Sequence, residues 1–406
     1  MPMKYQFSTY QKIVLAILAF LQFTVISSFM IFTPLGTLLE KQLSIMPAEF
    51  ANLVSVYAFC AAGSGILMAG FADRFDRKKM LLFFYPGFLM GTALCGFADG
   101  YEFLLSARIL TGVFGGVVGS IVYAIMIDLF PMEVRGRVMG FVQMAIGASQ
   151  ALAIPAGIYI AYYWGWRFPF FIIAGLGLIV GVMLWYFVKP IDAHTRLAVE
   201  KNPLHHLLRT LFQRPHLQVF LAVTLLSLSS FIFVPFGREF FTHNLGIDAK
   251  FLPTVFIVNG IFSLFMSPLI GSASDYFGKN RVFFLATLVS VITVLIYTNL
   301  GTTSLVTALF INILMFVAVS SRIIPFQALI SEIPSQSARG AFMSISFSIQ
   351  QLSMSFVSVL AGYIVTTKAD GSLENFEYLG YVAVGMFLVV LLLFYRIHRR
   401  TLEKTK

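Results

Sequence analysis

Ala69-Gly70-Phe71-Ala72-Asp73-Arg74-Phe75-Asp76-Arg77-Lys78-Lys79 separates two long apolar runs. Gly271-Ser272-Ala273-Ser274-Asp275-Tyr276-Phe277-Gly278-Lys279-Asn280-Arg281 does the same about 200 residues later. Asp73 aligns with Asp275, and a basic residue stands four positions on in each copy, Arg77 and Lys279. A second echo lies further along each half: Pro131 precedes Arg135-Gly136, and Pro334 precedes Arg339-Gly340. Matched polar joints in two apolar halves mark an internally duplicated membrane chain.

Working outward from these joints, stretches free of Asp, Glu, Lys and Arg run over 13–39, 50–72, 80–98, 109–127, 138–166, 168–188, 217–237, 251–274, 282–321, 340–367 and 378–395. Each is near the 20 residues that cross a bilayer as a helix, except 282–321. As one helix that stretch would reach about 60 Å, twice the hydrocarbon core. It must fold back, and Asn299-Leu300-Gly301-Thr302-Thr303-Ser304 is the cluster of turn formers that lets it. The expected fold is therefore an all-α integral membrane protein of twelve transmembrane helices in two six-helix bundles. A β-barrel is excluded, because its strands would alternate apolar and polar residues.

The longest polar interval, 189–216, divides six spans from six. It holds Pro190, Pro203, Pro215 and four of the six histidines. The domains are then an N-terminal bundle over 1–188, a linker over 189–216 and a C-terminal bundle over 217–406. Within the linker, 204–212 has a weak amphipathic pattern that predicts a short helix on the membrane surface. His205 and His206 are adjacent and point apart on a helix, so a solvated linker is expected rather than a metal site.

Composition agrees. Of 406 residues, 58% are apolar and 11% charged, and the mean hydropathy is +0.86. A soluble enzyme, a secreted disulfide scaffold and a disordered chain are excluded by the scarcity of polar surface. The first apolar run is too long for a cleaved signal core and is expected to stay as a span. Joints on the side of the N-terminus carry 21 Lys and Arg, and the opposite joints only Lys41, Arg167, Lys250 and Lys368. This asymmetry places both termini in the cytoplasm. The net charge of +10 thus reports orientation, and no nucleic-acid partner is expected. Cys60 and Cys95 lack metal-ligand spacing, and no nucleotide-binding loop is present. Neither a metal nor a cofactor is expected.

The chain resembles the major facilitator superfamily over nearly its whole length. The joint 69–79 looks like that family's signature between spans two and three, with Ala69 and Asp76 where glycines are usual; the second copy keeps both, as Gly271 and Gly278. Arg108-Ile109-Leu110-Thr111-Gly112 is similar to the family's arginine-x-x-x-glycine element in span four. Trp164-Gly165-Trp166-Arg167-Phe168-Pro169-Phe170 looks like its usual join of spans five and six. The general look is that of the drug:proton antiporters and sugar exporters; Gly147 and Pro155-Ala156-Gly157 echo the antiporters' glycine-proline motif loosely. The resemblance implies a transporter, not an enzyme, working by alternating access in a bacterial cytoplasmic membrane, as a monomer, with export favoured. It also implies a gate. Asp73, Arg77 and Asp128 would form a charge cluster with Asp73 facing the start of span eleven near Gly340, and Asp275 and Lys279 are the second-half counterparts.

Within the spans, Gly112, Gly115, Gly116 and Gly119 give close-packing patterns without chemistry. Gln22, Gln143, Gln150, Asn259, Gln350 and Gln351 lie at depth, where an amide needs a partner or a wet cavity. Both alternatives stand: cavity lining for substrate, or bonds between helices. Arg108 and Arg322 are deep cations without a deep acid, and Arg238 sits near the outer end of span seven. Arg108 and Arg322 are candidates for binding an anionic group, with a structural role as the alternative, whereas Arg238 is expected to snorkel outward. If protons drive transport, Glu239 and Asp128 are the candidates for carrying them. The expected substrate is a small organic solute, anionic or amphipathic. The rivals are a proton-coupled multidrug cation pump and a non-transporting receptor.

Overall fold

The structure, a computed structural model, describes residues 5–196, 202–368 and 370–405. Helices follow one another almost without interruption. Span one is Thr9–Met30, opened by Ser8, whose hydroxyl accepts from the Gln11 N–H while the Gln11 side chain returns the bond. Spans two, three and four are Pro47–Ala69, Arg77–Phe97 and Tyr101–Leu129. Span five is broken into Arg135–Ala148, a π turn over Ser149–Ala153, and Ile154–Trp164. Pro155 explains the break: it offers no N–H to the carbonyl four residues back and its ring crowds that carbonyl, so the backbone widens by one residue. Span six is Phe168–Phe187, reached through Gly165 at φ 103°.

The linker forms a helix over Pro203–Phe212, capped by Asn202. Spans seven, eight and nine are Arg214–Phe231, Leu252–Phe277 and Lys279–Thr298. Span nine ends at Thr298 and span ten begins at Leu305, capped by Ser304, so the 40-residue apolar run does turn back at 299–304. Span ten is itself interrupted: Leu305–Ser321 and Ile323–Ile330 meet at Arg322. Spans eleven and twelve are Arg339–Gly362 and Phe376–Thr405. A two-stranded hairpin, Thr366–Thr367 with Leu373–Glu374, joins them. Among the described residues, eleven helices are long and apolar enough to cross a membrane. Arg214–Phe231 is the twelfth, an 18-residue helix in the place of span seven. Large apolar side chains such as Leu67, Phe83, Tyr186 and Phe265 are exposed on these helices, which suits a lipid surround.

The buried core has three parts. The largest draws residues from both halves, among them Val14, Met126, Val138, Phe283, Phe342 and Phe394. The other two are private. One holds Phe32, Leu53, Leu104 and Trp166 from the first six spans, the other Phe240, Tyr297, Phe376 and Phe387 from the last six. The shared core lies toward the face where the chain begins and ends, here the terminal face. The halves are therefore packed together at that face and separately organised toward the opposite one. Their closest seam runs between spans five and eight and uses small residues. A Cβ on Gly140 would sit 2.5 Å from the Ser267 carbonyl oxygen, and one on Gly147 2.6 Å from the Leu264 nitrogen.

Candidate functional site

Two groups of side chains span the halves: a network of charges at the terminal face, and a cleft further in.

The charge network centres on Asp73, in the joint after span two and 1% exposed. Its Oδ1 accepts from Arg77 at 2.8 Å and from the Gly340 N–H at 2.7 Å. Its Oδ2 accepts from the Ala341 N–H at 2.9 Å and meets His206 Nε2 at 3.2 Å. Gly340 and Ala341 open span eleven, so the carboxylate caps the positive end of a helix in the other half. Arg77 reaches on to Asp128 at 3.3 Å, and Arg339 of span eleven approaches the same carboxylate at 3.5 Å. Burial would raise the Asp73 pKa, but the His206, Arg77 and Ala341 bonds hold the carboxyl below the usual carboxylate range. His194 Nδ1 lies 3.7 Å from Asp128; burial and the nearby Arg77 push the imidazole pKa down.

The second half repeats the arrangement. Asp275, at the end of span eight, accepts from the Gly136 and Arg137 N–H groups at 2.8 and 2.7 Å. These open span five, so the capping runs in the reverse direction between the halves. Lys279 pairs with Glu332. Arg135 donates to the Ser331 carbonyl at 3.1 Å and its hydroxyl at 3.2 Å. All five residues expected at the gate therefore take part in contacts at the terminal face. Arg135, Arg339, Glu332, His194 and His206 join them without having been singled out. The Arg-Gly echoes at 135–136 and 339–340 were the available signal for two of these. Glu332 closes span ten as Asp128 closes span four. His206 is expected, with His205, on a solvated linker rather than in a metal pair; the structure buries it against Asp73 instead.

The cleft is lined by Tyr123 of span four, Leu226, Ser227, Ser230 and Phe231 of span seven, Ile323, Phe326, Gln327 and Ile330 of span ten, and Met343, Ser346, Phe347 and Gln350 of span eleven. It is a narrow slot, open at one side, with a cavity volume of only about 30 Å³. Tyr123 donates to Gln143 Oε1 at 3.2 Å, and Gln327 Nε2 reaches the Tyr123 hydroxyl at 3.4 Å, a polar bridge between halves. Among the described residues that line it, none is Asp, Glu, Lys or Arg.

Most of the other expected binding residues are elsewhere. Gln350 lines the cleft and Gln143 stands behind Tyr123; Gln351 does not line it. Asn259 donates to Asn312 at 2.8 Å, a bond between spans eight and ten. Gln22 and Gln150 are buried, each with its Oε1 unbonded among the described residues. The two deep arginines expected to bind an anion stand outside the cleft. Arg108 is fully buried, donates to the Leu53 carbonyl at 3.2 Å, and lies between the Phe32 and Tyr57 rings at 4.3 and 4.6 Å. Arg322 is fully buried over the Phe387 ring at 3.9 Å. Neither lines the cleft; aromatic faces lie against both, but Arg108 Nη1 and Nη2 and all three Arg322 guanidinium nitrogens lack a hydrogen-bond partner among the described residues. Arg238 is exposed on the short turn Gly237–Glu239 beyond span seven, and Glu239 lies on that same turn, away from the cleft.

Duplicated six-helix halves, a seam of small residues and a polar cleft between the halves define a membrane carrier. The Major Facilitator Superfamily profile matches residues 15–236 and again 219–406. The chain belongs to the major facilitator superfamily and is a transporter of that family, not an enzyme. It is 25% identical to the uncharacterised MFS-type transporter YbcL of Bacillus subtilis over 386 residues, covering 93% of this chain and 95% of that one. Multidrug resistance protein 3 of the same organism is 31% identical over 129 residues, 32% of this chain and 25% of that one. In fold it matches the proton:xylose symporter XylE with a TM-score of 0.76 at 15% identity, over 96% of each chain.

Proposed function

We propose that this chain carries a small, uncharged, amphipathic organic solute across the membrane by alternating access, with export as the direction. The cleft carries the proposal. Its walls offer hydroxyls and amides (Tyr123, Ser227, Ser230, Gln327, Ser346 and Gln350) between the rings of Phe231, Phe326 and Phe347. Such a lining satisfies scattered hydrogen-bonding groups on an otherwise apolar ligand. A charged solute would lose its hydration there and find no counter-charge. This argues against both an organic anion and a lipophilic cation. In this reading residues 1–188 and 217–406 rock as two bundles joined by 189–216. The capped helix starts at Gly340 and Gly136 act as two latches that hold the terminal face shut. The excess of Lys and Arg supports a cytoplasmic terminal face. Export rests on the branch resemblance and on the multidrug names of partial relatives such as Multidrug resistance protein 3.

The test is a thermal-shift screen of purified protein with matched neutral, anionic and cationic amphiphiles, followed by flux in proteoliposomes. Neutral compounds should stabilise the protein and move. Stabilisation confined to anions and abolished by Arg108→Ala or Arg322→Ala would overturn the uncharged class. A second reading, the proton-coupled multidrug cation pump, is favoured by those same relatives. It requires cation flux that acidifies or alkalises the lumen and depends on Asp128 or Glu239. Ligand binding without any flux would leave the receptor reading instead.

A further inference from the structure

The linker helix Pro203–Phe212 turns one apolar stripe outward, as a helix lying on a membrane surface does, and a polar stripe inward. Leu204, Leu208 and Phe212, four residues apart and on one stripe, are exposed by 62%, 43% and 63%. His206 and Thr210, on the opposite stripe, are buried. Lipid can take the outward leucines, and the inward side combines Leu207 and Leu211 with His206 and Thr210. Burial of an imidazole is tolerated only where it finds a partner. His206 finds one in Asp73 Oδ2, at 3.2 Å. The helix is set for that contact. Asn202 caps its N-terminus, Leu207 and Leu211 pack against the shared core, and the Pro203 carbonyl rests on Gly70, where an added Cβ would stand 2.7 Å from it.

We infer that His206 is a positioning residue of the Asp73 latch, so that the linker is a working third part of the gate and not a tether. The carboxylate must face four donors at once: Arg77, Gly340, Ala341 and His206. Arg77 comes from its own half and the two backbone N–H groups from the other. Only His206 comes from the segment between the halves. It fixes the second carboxylate oxygen at the position from which it caps Ala341. When the halves part at this face, the linker helix must release the carboxylate before span eleven can leave it.

The inference rests on the latch reading above, and one experiment separates the two. In a Cys60→Ala, Cys95→Ala background, Ser346→Cys in the cleft wall reports opening of the terminal face through its rate of reaction with a membrane-impermeant maleimide applied there. Asp73→Asn, His206→Ala, His206→Gln and the Asp73→Asn/His206→Ala pair are compared. His206→Ala should speed labelling about ten-fold, the factor of one charge-assisted hydrogen bond. His206→Gln, which keeps an N–H donor, should restore most of the slow rate. The pair should be no faster than Asp73→Asn alone, because both act through one carboxylate. Faster labelling by Asp73→Asn with none by His206→Ala would overturn the inference and leave the latch standing. Additive effects, or an equal effect of Ala and Gln, would reduce His206 to a packing residue. No effect of Asp73→Asn would sink the latch and the inference together.

Discussion

Asp73→Asn tests the latch most directly. The carboxylate is 1% exposed and meets donors on both oxygens. The amide keeps one acceptor and turns an NH2 toward donors that formerly shared the other oxygen. It also removes the charge that Arg77 and the start of span eleven face. Breaking a buried ion pair from one side costs about 3–5 kcal/mol. Arg77 retains Asp128 at 3.3 Å and the Ala72 carbonyl, so the low end applies. A loss of about 3 kcal/mol shifts the balance between shut and open terminal faces by a factor of about 150. The maleimide rate at Ser346→Cys reads that balance directly, provided the variant still folds by gel filtration and thermal shift. A folded Asp73→Asn protein that labels within about two-fold of the parent would refute the reasoning. The carboxylate would then be a local cap whose loss the seam of spans five and eight absorbs.

Three further outcomes follow. Because Asp73 is held below its ordinary pKa of 3.8, its contribution to the latch is complete above that value and is lost as pH falls through the depressed one. Opening of the parent, taken as the labelling rate divided by the thiolate fraction at each pH, should therefore stay low down to about pH 4 and rise only below it, and a rise centred near pH 6 would point to another group. Tyr123→Phe removes the bridge between Gln143 and Gln327 at 3.2 and 3.4 Å, about 1–2 kcal/mol in all; a neutral ligand found by thermal shift should bind roughly five- to thirty-fold more weakly by calorimetry, and unchanged binding would take the bridge out of the site. Arg322→Met replaces a buried cation that has aromatic faces but no acid; the melting temperature should hold or rise with flux intact, whereas lost flux in a stable protein would bring Arg322 back to the solute path.

Much of the fold was legible because its causes are local and repeated. A 40-residue apolar run must turn, and the residues at 299–304 were the only ones in it that turn readily. The repeat around Asp73 and Asp275 marked both capping carboxylates, and the family resemblance set Asp73 opposite the start of span eleven; that Asp275 caps the start of span five came only from the structure. The cleft was not legible in the same way. Whether a mid-span amide faces a cavity or a neighbouring helix depends on helix rotation, and the depth of Asn259 and of Gln350 is alike. One bonds Asn312 and the other lines the cleft. The surroundings of the deep arginines were hidden for a related reason. Sequence shows the lack of an acid near Arg108 and Arg322, but not that Phe32, Tyr57 and Phe387 converge on them. The π turn at Ser149–Ala153 had its cause in Pro155, which was visible without its consequence.

The two latches are alike in plan and unlike in strength, and this bears on how the carrier moves. Each caps one half's helix with the other half's carboxylate. Asp275 relies on two backbone N–H groups, with Lys279 engaged by Glu332 within its own half. Asp73 adds a buried guanidinium, a second carboxylate through Arg77, and the linker's histidine. A joint held by more charge-assisted bonds opens later under the same force. If the halves rock as proposed, the seam of spans five and eight, with its glycine contacts and lighter latch, would slide, while the contact of spans two and eleven would have to be released. Solute entering a cleft built largely from spans seven, ten and eleven touches the second of these, through Met343, Ser346 and Phe347 on the helix that Asp73 caps. On the proposed function, binding energy gained on span eleven would be delivered to the element whose start the stronger latch holds, coupling occupancy of the cleft to release of the gate.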